Sequence, residues 1–355
     1  MKAFPMRFFL LPILLGALGA ACPAAQTGAP VDGLSQEDVA KAISALKEDF
    51  ARPDALTDAE MGRATLQGLL DRLAPAVDLV SGSASAAAAS PFYSETLDGK
   101  TGYLRLGALT GENVEKAKQA LTGWTGENIG AVVLDLRATP ASSDFDAGAS
   151  LAGLFCANGT EIFSLTAGKG HVLKGADSTA QTHTFSVAAD PVFKGILVVL
   201  VDSDSAEAPE AVAASLQKCT KALVVGDKTA GRAYQFTEVP LSGAVLRVAV
   251  AQVILPDGKE PGENGLTPDI RVGIGSAVKK EIMRSIKSKG VASVIDERDR
   301  PHLNEAALVS GSNPEVDELE AEQLGQKPTE PLIDRQLQRA LDLVTSIAIY
   351  RTKGE

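Results

Sequence analysis

Residues 195–232 read GILVVLVDSDSAEAPEAVAASLQKCTKALVVGDKTAGR. The run 195–201 is apolar on every side, as a strand buried on both faces must be. A polar, Ser- and Asp-rich turn follows, and Pro209 stands where the first turn of a helix tolerates proline. The segment 208–218 then reads as a helix with few polar residues, and 222–225 is a second apolar strand. Strand, helix and strand thus alternate within one short span.

The same alternation extends outward. Strand 103–106 leads to helix 112–124, the buried strand 131–136 and helix 145–155. A hairpin region with strands near 161–165 and 182–187 precedes the quoted stretch, and longer strands at 234–239 and 244–254 follow it. Strands and helices of these lengths define an α/β core. On the N-terminal side, residues 33–80 read as helices. Ser35 with Asp38, and Thr57 with Glu60, have the spacing of capping boxes. Val39, Ile43, Leu46 and Phe50 recur at helical intervals in the first helix, and Met61, Leu66, Leu69, Leu70 and Leu73 line one side of the second. Residues 81–100 begin with the small, low-complexity run SGSASAAAAS and are expected to be a linker. Residues 276–355 are expected to be helical and polar, with an acidic connector at 314–326. A last helix over 332–350 carries Ile333, Leu337, Leu341, Val344 and Ala348 on one face.

Four segments carry a family resemblance. They are Gly102-Tyr103-Leu104-Arg105-Leu106; Leu134-Asp135-Leu136-Arg137 with Pro140; Asp202 to Glu210 running into its helix; and Gly226 to Arg232, with Gly265-Leu266-Thr267-Pro268-Asp269-Ile270 beyond. In this order they resemble the tail-specific (C-terminal processing) serine proteases. The likeness is good over residues 102–270 and weaker in the N-terminal helices and at 334–341. It implies an α/β, ClpP/crotonase-like core over 101–275, with flanking N- and C-terminal helices. The peptide-gripping PDZ domain of that family has no room between Val80 and Gly102, since an ordinary domain needs about 50 residues.

In that family a Ser at a helix start attacks the peptide carbonyl, and a Lys acts as its base. The resemblance places Glu207 at the Ser position and Arg232 at the Lys position, 25 residues apart as in the family. Arg keeps its proton at any working pH and cannot serve as a base. A carboxylate beside a guanidinium is a poor nucleophile towards an amide. Glu207 and Arg232 are therefore expected to form an ion pair with side chains within about 4 Å. Glu210, three residues on, is a retained family position. Ala141 and Ser142 replace two glycines of the oxyanion loop, so a positive φ there would be strained. Phe236 stands where the family has Gln. The resemblance thus implies a serine-type peptidase fold without its dyad, a pseudoenzyme that binds peptide or a partner protein through its core. Two alternatives stand beside it. Ser205 with Lys228 would form a rearranged dyad, out of register by two and four residues. Glu207 with Glu210 would form a carboxylate pair for another hydrolysis, although Arg232 beside Glu207 would be wrong for a general acid.

The composition agrees with export and excludes other classes. A net charge of −11 lacks the basic footprint that nucleic-acid binding requires. The basic group Lys279, Lys280, Arg284, Lys287 and Lys289 reads as the solvated face of a helix whose Val278, Ile282 and Met283 point inward. Residues 1–25 have the order of a signal peptide: Lys2 and Arg7, an apolar run too short to span a membrane, small residues and Cys22. Ordinary cleavage and a lipid anchor at Cys22 are both open, and the expected location is the bacterial periplasm or cell envelope. Cys156 and Cys219 each follow an apolar helical run and are expected as free thiols near one another, with a disulfide as the alternative. His171, His183 and His302 have no metal-ligand spacing, and no cofactor is expected.

Overall fold

The computed structural model describes residues 31–52, 55–81, 90–137, 139–168, 181–262, 264–296 and 332–353. The signal-peptide reading, Cys22, the acidic connector, His171 and His302 fall outside them. The chain divides into two units, residues 1–68 and 69–355.

In the first unit, α1 (Gln36–Asp49) starts at Ser35, whose hydroxyl accepts from the Asp38 amide at 3.1 Å and donates to the Asp38 carboxylate at 2.6 Å. Helix α2 (Asp58–Leu73) starts at Thr57, which accepts from the Glu60 amide, and it runs across the division between the units. Neither helix has a buried residue. Ile43, Leu46, Phe50, Leu66, Leu69 and Leu73 are all exposed.

The second unit is built on two sheets. One has six strands in the order β11 (Ile270–Arg271), β8 (Leu223–Gly226), β7 (Ile196–Val201), β4 (Ala131–Asp135), β3 (Thr101–Arg105) and β2 (Tyr93–Leu97). All neighbours are parallel except β2 with β3. The fully apolar readings of β4 and β7 follow from burial on both faces. Leu104, Val132, Leu134 and Val199 point into a core shared with α3 (Gly111–Gly126), α4 (Phe145–Gly153) and α5 (Ala208–Cys219). Tyr103, Val133, Val198 and Leu200 point the other way, against α6 (Ser276–Lys289) and α7 (Arg335–Lys353). In α6, Ile282 is buried and Met283 packs on this core, but Val278 is 43% exposed, and beside it Lys279 pairs with Asp202 at 2.6 Å instead of standing in solvent.

In the second sheet β10 (Ala244–Ile254) is the spine. On one side it pairs with β1 (Val77–Ser81) and β5 (Glu161–Ala167), and on the other with β9 (Tyr234–Leu241). β6 (Thr182–Ser186) pairs with β5. Two strands differ from the sequence reading. β1 lies in the segment expected to be helical, and β2 in the segment expected to be linker. Each is only five residues long and is defined by its partner, β1 by β10 and β2 by β3, rather than by its own pattern.

A buried ionic knot ties α7 to the parallel sheet. Arg137, just past β4, donates from Nε and Nη2 to Asp135 at 2.9 and 2.7 Å, and from Nη1 and Nη2 to Asp334 at 2.9 and 2.8 Å. Gln336 accepts a further bond from Nη1, and the Tyr103 hydroxyl donates to Asp135. Burial alone would raise the Asp135 carboxyl, but the Arg137 charge and the hydrogen bonds from Arg137 and Tyr103 hold it below the ordinary range.

Candidate functional site

At the end of β7 the chain turns sharply into α5. Asp202 and Ser205 brace the turn: the Ser205 amide donates to the Asp202 carbonyl, and the Asp202 amide donates to Ser205 Oγ. Glu207 is the N-cap of α5, with φ 58° and ψ −130°. A non-glycine residue in that region stores of order 1–3 kcal/mol of strain, and only the surrounding contacts hold it there. They are explicit. The Glu207 amide donates to the Arg232 carbonyl at 3.0 Å, and the Ala208 amide to the Ser142 carbonyl at 3.0 Å. The next residue, Pro209, has no amide hydrogen.

The Glu207 carboxylate is 2% exposed. It accepts a short charge-assisted hydrogen bond from Arg247 Nη2 on β10, and its other oxygen accepts from Ser143 Oγ at 3.1 Å. Arg232 does not pair with Glu207. Its Nη1 donates to Asp78 Oδ2 at 2.9 Å, and Asp78 is also 3.7 Å from Arg247. The expected two-residue pair is therefore a chain of alternating charges, Glu207–Arg247–Asp78–Arg232. Sheet register is the cause: Asp78 on β1 lies directly across from Arg247, which lies across from Glu238 on β9. The Arg247 guanidinium stacks over the Phe236 ring, 4.3 Å from its centre. Burial works against its charge, but Glu207, Asp78 and Glu238 hold its pKa above the ordinary value.

Glu210 is fully buried and clamps the segment that carries Arg232. It accepts from Thr229 Oγ1, from the Gly231 amide at 3.0 Å and from the Arg232 amide at 2.8 Å. Burial raises its carboxyl above the ordinary value in spite of these donors. Gly231 has φ 69°, and a Cβ there would meet the Asn264 backbone at 2.5 Å, so glycine is required for the two loops to touch. A carboxylate so enclosed counts against the Glu207/Glu210 pair as a hydrolytic couple.

Ser205 is also fully buried, with Oγ 3.4 Å from Asp202 Oδ1. It cannot reach a polypeptide, which counts against the Ser205/Lys228 alternative. Ala141 and Ser142 both avoid positive φ. The loop has adopted an ordinary backbone, and the Ser142 carbonyl fills the place beside the Ala208 amide. His183, on β6, stacks edge-on against Phe185 at 4.5 Å. Among the described residues no group of three or more His, Cys, Asp or Glu is placed to hold a metal ion, and no helix is long and apolar enough to cross a membrane.

Asp78, Ser143 and Arg247 escaped the sequence reading. One signal was present: Arg247 is the only charged residue in AVLRVAVAQVI, and a lone charge in an apolar strand needs a partner.

The parallel sheet and the strained strand-to-helix elbow form one α/β core, with glutamate at the elbow. Residues 100–272 match the model of peptidase family S41, and the curated relatives found over this region are C-terminal processing peptidases. The chain is 28% identical over 173 residues to the chloroplastic C-terminal processing peptidase of Tetradesmus obliquus, covering 48% of this chain and 35% of that protein. It is also 28% identical over 193 residues to a chloroplastic carboxyl-terminal-processing peptidase of Arabidopsis thaliana, covering 53% and 35%. A solved photosystem II D1 C-terminal processing protease aligns at 26% identity with a TM-score of 0.41, over 61% of this chain and 53% of that one. The matched region thus spans about a third of the length of these curated relatives.

Proposed function

We propose that this chain is a non-catalytic member of its family that binds an extended polypeptide or a protein partner instead of cleaving it. The observation that carries the reading is the state of the elbow. Its side chain is an ion-paired carboxylate, and the two amides at the helix start are donated to Arg232 and Ser142. An acyl transfer needs a free nucleophile and free donors aimed at the oxyanion, and the engagement of these groups supports the non-catalytic reading.

A binding role is supported by β9. It begins two residues after Arg232, pairs only with β10 among the described strands, and is exposed from Thr237 to Leu241. Backbone groups along such an edge can accept an added strand, and this requires no nucleophile. The order of residues 1–25 supports export to the periplasm or cell envelope, with lipidation at Cys22 as one mode of it.

The test incubates the chain lacking residues 1–25 with unfolded polypeptides and measures both cleavage and binding. Saturable binding without turnover is expected. Turnover that disappears in Ser205→Ala would replace this reading with that of an active peptidase. Absence of binding to any unfolded polypeptide would remove the peptide-edge role.

A further inference from the structure

Helices α4 and α5 pack side by side, with Gly148 against Val212 and Ala208. The turn after α4 ends in Cys156, and α5 ends in Cys219. Both thiols are free, and Phe155 and Ala157, on either side of Cys156, line one cavity with Cys219. Their surroundings differ. Cys156 is 1% exposed inside the core. Cys219 is half-buried, lies 3.7 Å from the Glu161 carbonyl, and forms part of the wall of a cavity of about 380 Å³ with Phe155, Asn158, Phe193, Lys194 and Thr220. One thiol is therefore accessible from a recess, and the second is buried in the segment that forms the wall of the same recess.

We propose that Cys156 and Cys219 form a thiol–disulfide exchange site, with Cys219 the attacking thiol, Cys156 the resolving thiol, and a small-molecule or protein disulfide as the oxidant. In the first step the Cys219 thiolate attacks one sulfur of the incoming disulfide. The S–S bond breaks, its electron pair leaves with the other sulfur, and a mixed disulfide remains on Cys219. In the second step the Cys156 thiolate attacks the Cys219 sulfur and releases the second thiolate. Two protein thiols are oxidised, one external disulfide is reduced, and the two protons pass to the released thiolates. The asymmetry of the pair fits these roles. Its neighbour Cys156 lowers the Cys219 thiol below its ordinary value, while Cys219 and burial raise Cys156. The cavity leaves room for the attached group during the intermediate. The same two helices carry the elbow at their opposite ends, where Asp144 caps α4 and Glu207 begins α5, so a closed bond would fix the pair that presents Glu207.

The test uses the full chain, reduced and freed of reductant. It is equilibrated with mixtures of oxidised and reduced glutathione, then alkylated and mapped by peptide mass. A peptide linked through Cys156 and Cys219 is expected as the mixture becomes oxidising. In the reduced chain, iodoacetamide should modify Cys219 at least about tenfold faster than Cys156. Cys156→Ser should accumulate the glutathione adduct on Cys219, and Cys219→Ser should leave Cys156 unmodified. No linked peptide in fully oxidised glutathione, or modification of Cys156 before Cys219 in the unmutated chain, would overturn the proposal. Neither readout depends on peptide binding or on the fold of a variant.

Discussion

Arg247 neutralises a carboxylate that the fold holds at 2% exposure, so removing it strands a buried charge. Arg247→Met should destabilise the chain by about 3 kcal/mol. Glu207→Gln should cost about 1 kcal/mol, since Arg247 keeps Asp78. The double variant should then lose less than the sum of the two, by roughly 1–2 kcal/mol, read from urea unfolding. Strict additivity would mean that the two groups do not interact in solution. Glu210→Gln tests a different kind of site. Glutamine must turn an NH₂ towards one of the donors that the carboxylate now accepts, either the Arg232 amide or the Thr229 and Gly231 pair. A loss of about 1–3 kcal/mol is expected at neutral pH. At this scale the sequence was informative about chemistry and silent about partners. Glu207 at a helix start and Arg232 after a glycine could be placed by the resemblance. That Arg247 lies opposite Asp78 depends on the pairing of β1 with β10, strands far apart in the chain, and no local pattern encodes it.

Elements were legible in proportion to their burial. β4 and β7, buried on both faces, could be read from their apolar runs, and the N-terminal helices α1 and α2 from their caps and spacing. β1 (VDLVS) and β2 (YSETL) alternate with polar residues over five positions, too short a span to separate a strand from a coil. Helix α7 is the opposite case, foreseen from Leu337, Leu341 and Val344 but fastened by something its own periodicity does not show. Asp334 and Gln336 reach Arg137 across nearly 200 residues. Asp334→Ala should therefore cost about 3 kcal/mol, by leaving Arg137 under-neutralised in a dry site. It should also raise amide exchange in α7 before the parallel sheet is affected. Equal acceleration in α7 and β4 would show the knot to be part of the global core instead of a latch on one helix. The cysteine pair is a further joint between elements. Closing it would bridge a loop of about 60 residues, and the chain-entropy model places the gain at no more than about 4 kcal/mol.

For the whole molecule, the balance of shifted carboxyls sets the response to acid. The net charge of −11 and an isoelectric point near 4.9 mean that acidification from neutral pH first relieves self-repulsion. Burial raises Asp202 in spite of Lys279, and raises Glu210 in spite of its donors. A raised carboxyl contributes stability that is complete below its ordinary value, 3.8 for Asp202 and 4.5 for Glu210, and that is lost as pH climbs through the folded value. Asp135 works in the other direction. Its folded value is lowered, so its contribution is present above 3.8 and vanishes as pH falls through the lower folded value. Tm should accordingly rise from pH 8 towards about pH 5 and fall steeply below about pH 4, as Asp135 protonates and the Arg137 knot opens. Glu210→Gln should flatten the rising limb and leave the acid limb unchanged, because only the first involves Glu210. A Tm that declined steadily from pH 8 to pH 5 would mean that Asp202 and Glu210 are not desolvated as the structure places them. A rising limb unaltered by Glu210→Gln would assign the gain to surface charge alone.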